Sequence, residues 1–318
     1  MNHNNMEKST YRVFTPEQIT FQDDARHKKG FFSHVETWYY DAVFENGYSI
    51  VSLVNVIHIG KIGTVLSGIF IYKDGELIEI IRKRYPLRKF YGSEKTPLLK
   101  IDDQEVLNGK IDQDNQWKYR IYRGDTSIGF DLEFIKTMKP FKGKTFLGNW
   151  LVIPGFSVSG LLFLYGKKIP VKGEGYHDHN IYPIKAPFVT KGYFFGKIHL
   201  PQASVIWARV IKNKQNIETL VMLAKKDTYQ SIHPKYIHFT INEEKKDHRK
   251  IMPYSCTLTV DDPQFQMDVS FQPKKFHHIG ILAAHYWRYH EQYKGTYSID
   301  GIKEHIDLTD VVEYLKFF

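Results

Sequence analysis

Apolar and polar positions alternate with a period of two along most of the chain, in short runs broken by polar turn sequences. This is the signature of half-buried β-strands. Runs rich in Val, Ile and aromatic residues predict strands over 48–59, 65–72, 77–82 and 117–122, and then over 158–164 and 169–171. Further on, they predict strands over 193–198, 204–211, 218–224, 254–260 and 265–271. Lys73-Asp74-Gly75-Glu76 predicts a tight hairpin, because Asp-Gly tolerates positive φ angles. Tyr165-Gly166-Lys167-Lys168 and Asp261-Asp262-Pro263 predict two more, and 212–216 reads as a polar turn. Only short helices are expected, one of them near 308–315 with Asp307 or Thr309 as its cap. No internal repeat of 20–50 residues is present.

Antiparallel strands joined by short turns give an all-β fold, either sandwiches or closed barrels, since closure removes the exposed edges that aggregate. A barrel interior also has room for one hydrophobic ligand. A length of 318 residues favours two domains. Pro183 and Pro187 interrupt strand pairing, so the expected division is 1–186 and 187–318. With 42% hydrophobic and 15% aromatic residues, the chain has material for two cores and a wide apolar cavity besides, and it is not disordered.

The densest chemistry lies in Gly173-Glu174-Gly175-Tyr176-His177-Asp178-His179-Asn180. In an extended segment Tyr176, Asp178 and Asn180 face one way and His177 and His179 the other. One face can supply an acid and the other its support. Glu174, between two glycines, reads as a turn residue.

The net charge of +9 and pI near 9.2 come from scattered basic residues. The run Lys245-Lys246 is flanked by Glu243, Glu244 and Asp247, so the charge reads as solvated surface and no nucleic-acid partner is expected. Tyr286, Trp287, Arg288 and Tyr289 read as barrel packing. Cys256, the single cysteine, excludes an intramolecular disulfide and reads as a buried thiol in a reducing compartment. Residues 1–22 are polar and lack the apolar core of a signal peptide. No run approaches the roughly 18 apolar residues of a membrane span, so a soluble cytoplasmic protein is expected. The chain has no phosphate loop, dinucleotide fingerprint or nucleophile elbow, and no cofactor is expected.

Four stretches together resemble the carotenoid 1,2-hydratase (hydroxyneurosporene synthase) and AttH-like group. They are Trp38-Tyr39-Tyr40-Asp41-Ala42, the octapeptide 173–180, Val205-Ile206-Trp207-Ala208-Arg209, and His285-Tyr286-Trp287-Arg288-Tyr289 with Gly295. The resemblance implies two lipocalin-like antiparallel β-barrel domains in tandem. It also implies a hydrophobic small-molecule substrate, an isoprenoid or polyene, with peripheral membrane contact as a route for collecting it. Relatives with this fold include hydratases of isoprenoid double bonds and fungal enzymes that guide Diels-Alder cyclisations, so fold alone does not choose the reaction. Where family members often continue the octapeptide with Trp or His and then Gly, this chain has Ile181-Tyr182-Pro183.

Hydrating an alkene needs a proton delivered to carbon and a water to capture the cation. Burial would keep Asp178 protonated near neutral pH, making it the expected donor. Tyr176, Asn180, His177 and His179 are its expected partners. Trp38 and Tyr40 are expected to line the cavity and stabilise the cation, by about 0.5–2 kcal/mol each. Trp207 and Arg209 share a face and are expected to bind substrate, with Arg209 stacking or pairing with a motif carboxylate. Glu36 or Asp41 would be the second member of an acid–base pair if not simply surface-exposed. A polar network pinning the barrels together would use the same motif residues without catalysis. A metal at His177 and His179 would need a third ligand such as His277, His278 or His285, and no ligand spacing points to them, so no metal is expected. A pericyclase that folds a linear polyene and a non-catalytic lipid carrier are the alternatives to a hydratase or cyclase.

Overall fold

Asp74 and Gly75 take φ of 50° and 82°, and Tyr165 and Gly166 take 53° and 78°. Both are two-residue turns of the kind that closes hairpins, pairing Lys73 with Glu76 and Leu164 with Lys167. The computed structural model describes residues 12–13, 19–28, 33–60, 62–145, 148–213, 215–281 and 284–317. Most of the polar stretch 1–22 lies outside these residues.

The described strands form two antiparallel sheets, each curled into a nearly closed barrel. The first runs in the spatial order 76–86, 62–73, 48–59, 34–44, 167–183, 148–164, 128–136, 117–124, 104–111, 98–101 and 90–92. The second runs 229–231, 217–224, 203–211, 192–200, 302–317, 284–299, 265–281, 250–262 and 237–247. In both, the last long strand returns to pair with the first: Lys167–Pro183 with His34–Phe44, and Ile302–Phe317 with Gly192–Leu200. The fold is two lipocalin-like β-barrels in tandem. The short helix Ala186–Val189 falls in sequence between Lys167–Pro183 of the first sheet and Gly192–Leu200 of the second.

Alternation along these strands sorts apolar side chains into three cores. Trp38, Tyr40, Phe134 and Phe156 fill the first barrel, and Phe194, Trp207, Phe271 and Tyr293 fill the second. Tyr39, Tyr72, Tyr176, Phe195 and Tyr286 pack in the seam between the barrels. Cys256 is buried in the second core, as expected. The void beside Trp38 and Tyr40, the residues expected to line a cavity, holds only about 10 Å³, room for about one water. Aromatic rings occupy the space, and the buried Arg123 guanidinium reaches across it to Ser52 Oγ at 2.8 Å and Ser67 Oγ at 2.5 Å.

The helix expected near 308–315 is instead part of the closing strand Ile302–Phe317. Both of its faces are covered, by Val312 and Tyr314 in the second barrel and Val311 and Leu315 in the seam. A strand buried on both faces loses its alternation and mimics the clustered apolar residues of a helix. The octapeptide likewise contains no turn. It lies within Lys167–Pro183, with Glu174 exposed and paired across to Val43.

Gly175 is required by packing. A Cβ there would stand 2.6 Å from Val158 Cγ2 and 2.7 Å from Phe134 Cε1. Gly175→Ala is expected to destabilise the protein by about 1–3 kcal/mol through overpacking, measured by urea denaturation, with an unchanged circular-dichroism spectrum.

Candidate functional site

The strand Lys167–Pro183 lies between His34–Phe44 and Gly148–Leu164, which places Asp178 opposite Tyr39 on one side and Val152 on the other. Its alternation divides the octapeptide as predicted: Tyr176 packs in the seam, while His177 faces the aromatic rings of the first barrel.

On the seam face, the Tyr176 hydroxyl donates to Asp178 Oδ2 at 2.9 Å and Asn180 Nδ2 donates to Oδ1 at 2.6 Å. Asp178 is 8% exposed. Burial pushes its carboxyl pKa up to about 8. The Tyr176 and Trp150 hydrogen bonds pull the other way, and the charges of Glu313 and Asp41 add to the rise. Half-buried Trp150, Tyr182 and Tyr193 stand around it.

The second barrel contributes the facing charges. Arg288, fully buried, donates to Glu313 Oε1 from Nε at 3.3 Å and Nη2 at 3.2 Å, and to the hydroxyls of Tyr72 at 3.0 Å and Tyr286 at 3.1 Å. Lys197 Nζ bridges Asp41 Oδ2 and Asp310 Oδ1, each at 2.9 Å, and His199 Nδ1 lies 2.7 Å from Asp310 Oδ2. Burial raises the Asp41 pKa despite Lys197. Asp310, also buried, is held low by Lys197 and His199. Asp41 is therefore a buried link between the barrels, and its reading as a surface residue is corrected.

On the opposite face, His177 Nε2 lies 2.9 Å from Asp24 Oδ1 and its Nδ1 lies 2.8 Å from the Tyr39 carbonyl oxygen. His179 Nε2 lies 3.0 Å from Glu36 Oε1 and its Nδ1 lies 3.3 Å from Asp24 Oδ1. Burial alone would lower the His179 pKa, but the hydrogen bonds and charges of Asp24 and Glu36 raise it to about 9. Glu36 is fully buried, which corrects its surface reading too.

Several expected site residues are thereby separated. Trp38 stacks on His179 with ring centroids 4.4 Å apart, and Tyr40 stacks on His177 at 3.9 Å. These rings lie inside the first barrel, across the sheet from Asp178, so they do not line a cavity with it. His177 and His179 bond to Asp24 and Glu36 and give Asp178 no direct support. Trp207 donates to the Tyr293 hydroxyl at 3.3 Å inside the second barrel, and Arg209 lies over the Phe239 ring at 4.4 Å, away from every motif carboxylate. His278 and His285 pair with each other at 3.0 Å in the second barrel, and His277 lies 3.4 Å from the Tyr72 hydroxyl.

The sequence reading missed Asp24, Lys197, Glu313, Trp150, Tyr182 and Tyr193. Tyr182 was legible, since it follows Asn180 by two and shares its face. Glu313, set in the apolar run Val311 to Leu315, was a second available signal.

No family profile and no curated protein matches the sequence. Solved structures do match in fold. An AttH-like protein of Nitrosomonas europaea superposes with a TM-score of 0.65 at 13% identity, covering 93% of this chain and 95% of that one. The fold is AttH-like. Kievitone hydratase from Nectria haematococca matches with a TM-score of 0.59 at 11% identity, covering 94% of this chain and 93% of its own. Among the described residues, no helix is long and apolar enough to cross a membrane.

The raised Asp178 pKa has a consequence for stability. Between the ordinary carboxylate pKa of 3.8 and about 8, the native state keeps a proton that the unfolded chain has lost, so this group makes stability fall as pH rises. The slope is at most about 1.4 kcal/mol per pH unit. Asp178→Asn is expected to flatten this dependence, so its stability relative to the native protein should be higher at pH 8 than at pH 5 in urea titrations.

Proposed function

We propose that this protein is a cofactor-independent enzyme that uses Asp178 as a general acid on a carbon–carbon double bond of an apolar isoprenoid or polyene, giving hydration or cyclisation. The observation that carries this reading is a carboxyl buried among aromatic rings, held by Tyr176 and Asn180, with a pKa of about 8. A neutral carboxylic acid at physiological pH is what alkene protonation requires. Kievitone hydratase, a hydratase by name, shares the fold and lends the reading support.

In the hydration, Asp178 gives its proton to one alkene carbon and the positive charge develops on the other. Water adds to that carbon and returns a proton to the Asp178 carboxylate, so acid and water balance over the cycle. Trp150, Tyr182 and Tyr193 take the cation-stabilising role assigned from the sequence to Trp38 and Tyr40, at about 0.5–2 kcal/mol per well-placed ring. In the cyclisation, an internal double bond replaces water as the nucleophile, and the ring cation so formed loses a proton to the Asp178 carboxylate, which gives an isomer and restores the acid.

Mass spectrometry of solvent extracts from host cells carrying or lacking the gene tests the reading. A product heavier by one water supports hydration, and an isomer of unchanged mass supports cyclisation. No difference would mean that the protein only carries its ligand. With the substrate in hand, Asp178→Asn is expected to lower kcat by about 100-fold or more while the fold is kept. If a folded Asp178→Asn variant retains full turnover and the ligand is still isomerised, a pericyclase that only holds the polyene replaces this assignment. The rate is expected to decline as pH rises past about 8, where Asp178 loses its proton.

A further inference from the structure

His179 and Glu36 meet a third side chain that the acid chemistry does not use. His27 Nδ1 lies 3.4 Å from Glu36 Oε1, and His179 Nε2 lies 3.0 Å from the same oxygen. The two imidazole rings are 5.3 Å apart. One ligand atom from each residue falls within 4.8 Å of the other two.

The two nitrogen–oxygen spacings, 3.4 Å and 3.0 Å, match the edges of a coordination shell. Zinc-type ions hold nitrogen and oxygen ligands at about 2.0–2.2 Å. Two such ligands at angles between octahedral and tetrahedral are then roughly 3.0–3.4 Å apart. Two imidazoles and one carboxylate are also a donor set that first-row divalent ions prefer.

A second observation points to a cation. Glu36 is fully buried, and its Oε2 has no hydrogen-bond partner. A buried carboxylate oxygen left bare is costly and is normally satisfied. The outer parts of a metal site are present as well. Asp24 Oδ1 stands 3.3 Å from His179 Nδ1, the position of a carboxylate that orients a ligating imidazole. The backbone N–H of His27 donates to Glu36 Oε1 at 2.7 Å and fixes the loop. The His27 side chain is 34% exposed, which gives an ion a way in. The charge of Arg26 also acts on Glu36 and opposes a purely electrostatic cation, so the site favours ions that bind imidazole over calcium or magnesium.

We propose that His27, Glu36 and His179 form a binding site for one first-row divalent metal ion of the zinc type, separate from the Asp178 seam. The ion fastens the loop containing His27 to the strands His34–Phe44 and Lys167–Pro183. The site revises the sequence expectation of no metal, and it uses His27 where the sequence offered only distant histidines.

The test uses the full chain stripped with EDTA and titrated with Zn²⁺ alone, followed by calorimetry, thermal unfolding and native mass spectrometry, with Mg²⁺ as the comparison. One Zn²⁺ per chain, a higher Tm, and no response to Mg²⁺ are expected. Co²⁺ is expected to give visible d–d absorption. His27→Ala, at a partly exposed position that leaves the fold intact, is expected to weaken Zn²⁺ binding at least tenfold and to remove the Tm shift. Glu36→Gln should do the same if it folds. Absence of stoichiometric Zn²⁺ binding overturns the proposal. Binding undiminished in His27→Ala overturns it too, because the ion would then sit on other histidines, such as the stacked His248 and His278.

Discussion

Strict alternation of side chains along the closing strand of the first barrel governs the chemistry of the molecule. Lys167–Pro183 is paired on both edges, so its register cannot slip without moving every buried side chain to the wrong face. That constraint sends Tyr176 and Asp178 into the seam and His177 and His179 into the barrel. A single octapeptide thereby serves two environments that share no side chain. Asp178 lies in one, and a histidine–carboxylate cluster lies in the other.

The seam is rich in buried charge. Asp41, Lys197, Asp310, Arg288 and Glu313 are all nearly inaccessible, and each depends on a partner because isolated charges there would be prohibitively costly. Lys197 joins the barrels by holding Asp41 of one and Asp310 of the other. Arg288 does the same through Tyr72 and Glu313. The network joins the barrels through residues outside the octapeptide, and it also supplies the negative charge of Glu313 that helps keep Asp178 protonated.

The space beside Trp38 and Tyr40 in the first barrel is less accommodating than composition implied. Stacking consumes the faces of Trp38 and Tyr40 on His179 and His177, and Arg123 spans the space beside them. The aromatic surface left half-open belongs to Trp150, Tyr182 and Tyr193 around Asp178. The two barrels joined at a seam thus place Asp178 outside both barrel interiors.

Much of the fold was legible locally. The hairpins at Asp74-Gly75 and Tyr165-Gly166 and most strands follow from turn chemistry and period-two patterning, which are properties of a few neighbouring residues. The closing strand Ile302–Phe317 was misread because burial on both faces erases that pattern. Within the motif, the sequence determined which residues share a face, since the geometry of an extended chain fixes it. It could not determine what each face meets. His177 finds Asp24, 153 positions away, and His179 finds Glu36 at a separation of 143. Only the closed barrels decide such meetings, and only the burial they create raises Asp178 to the pKa of an acid.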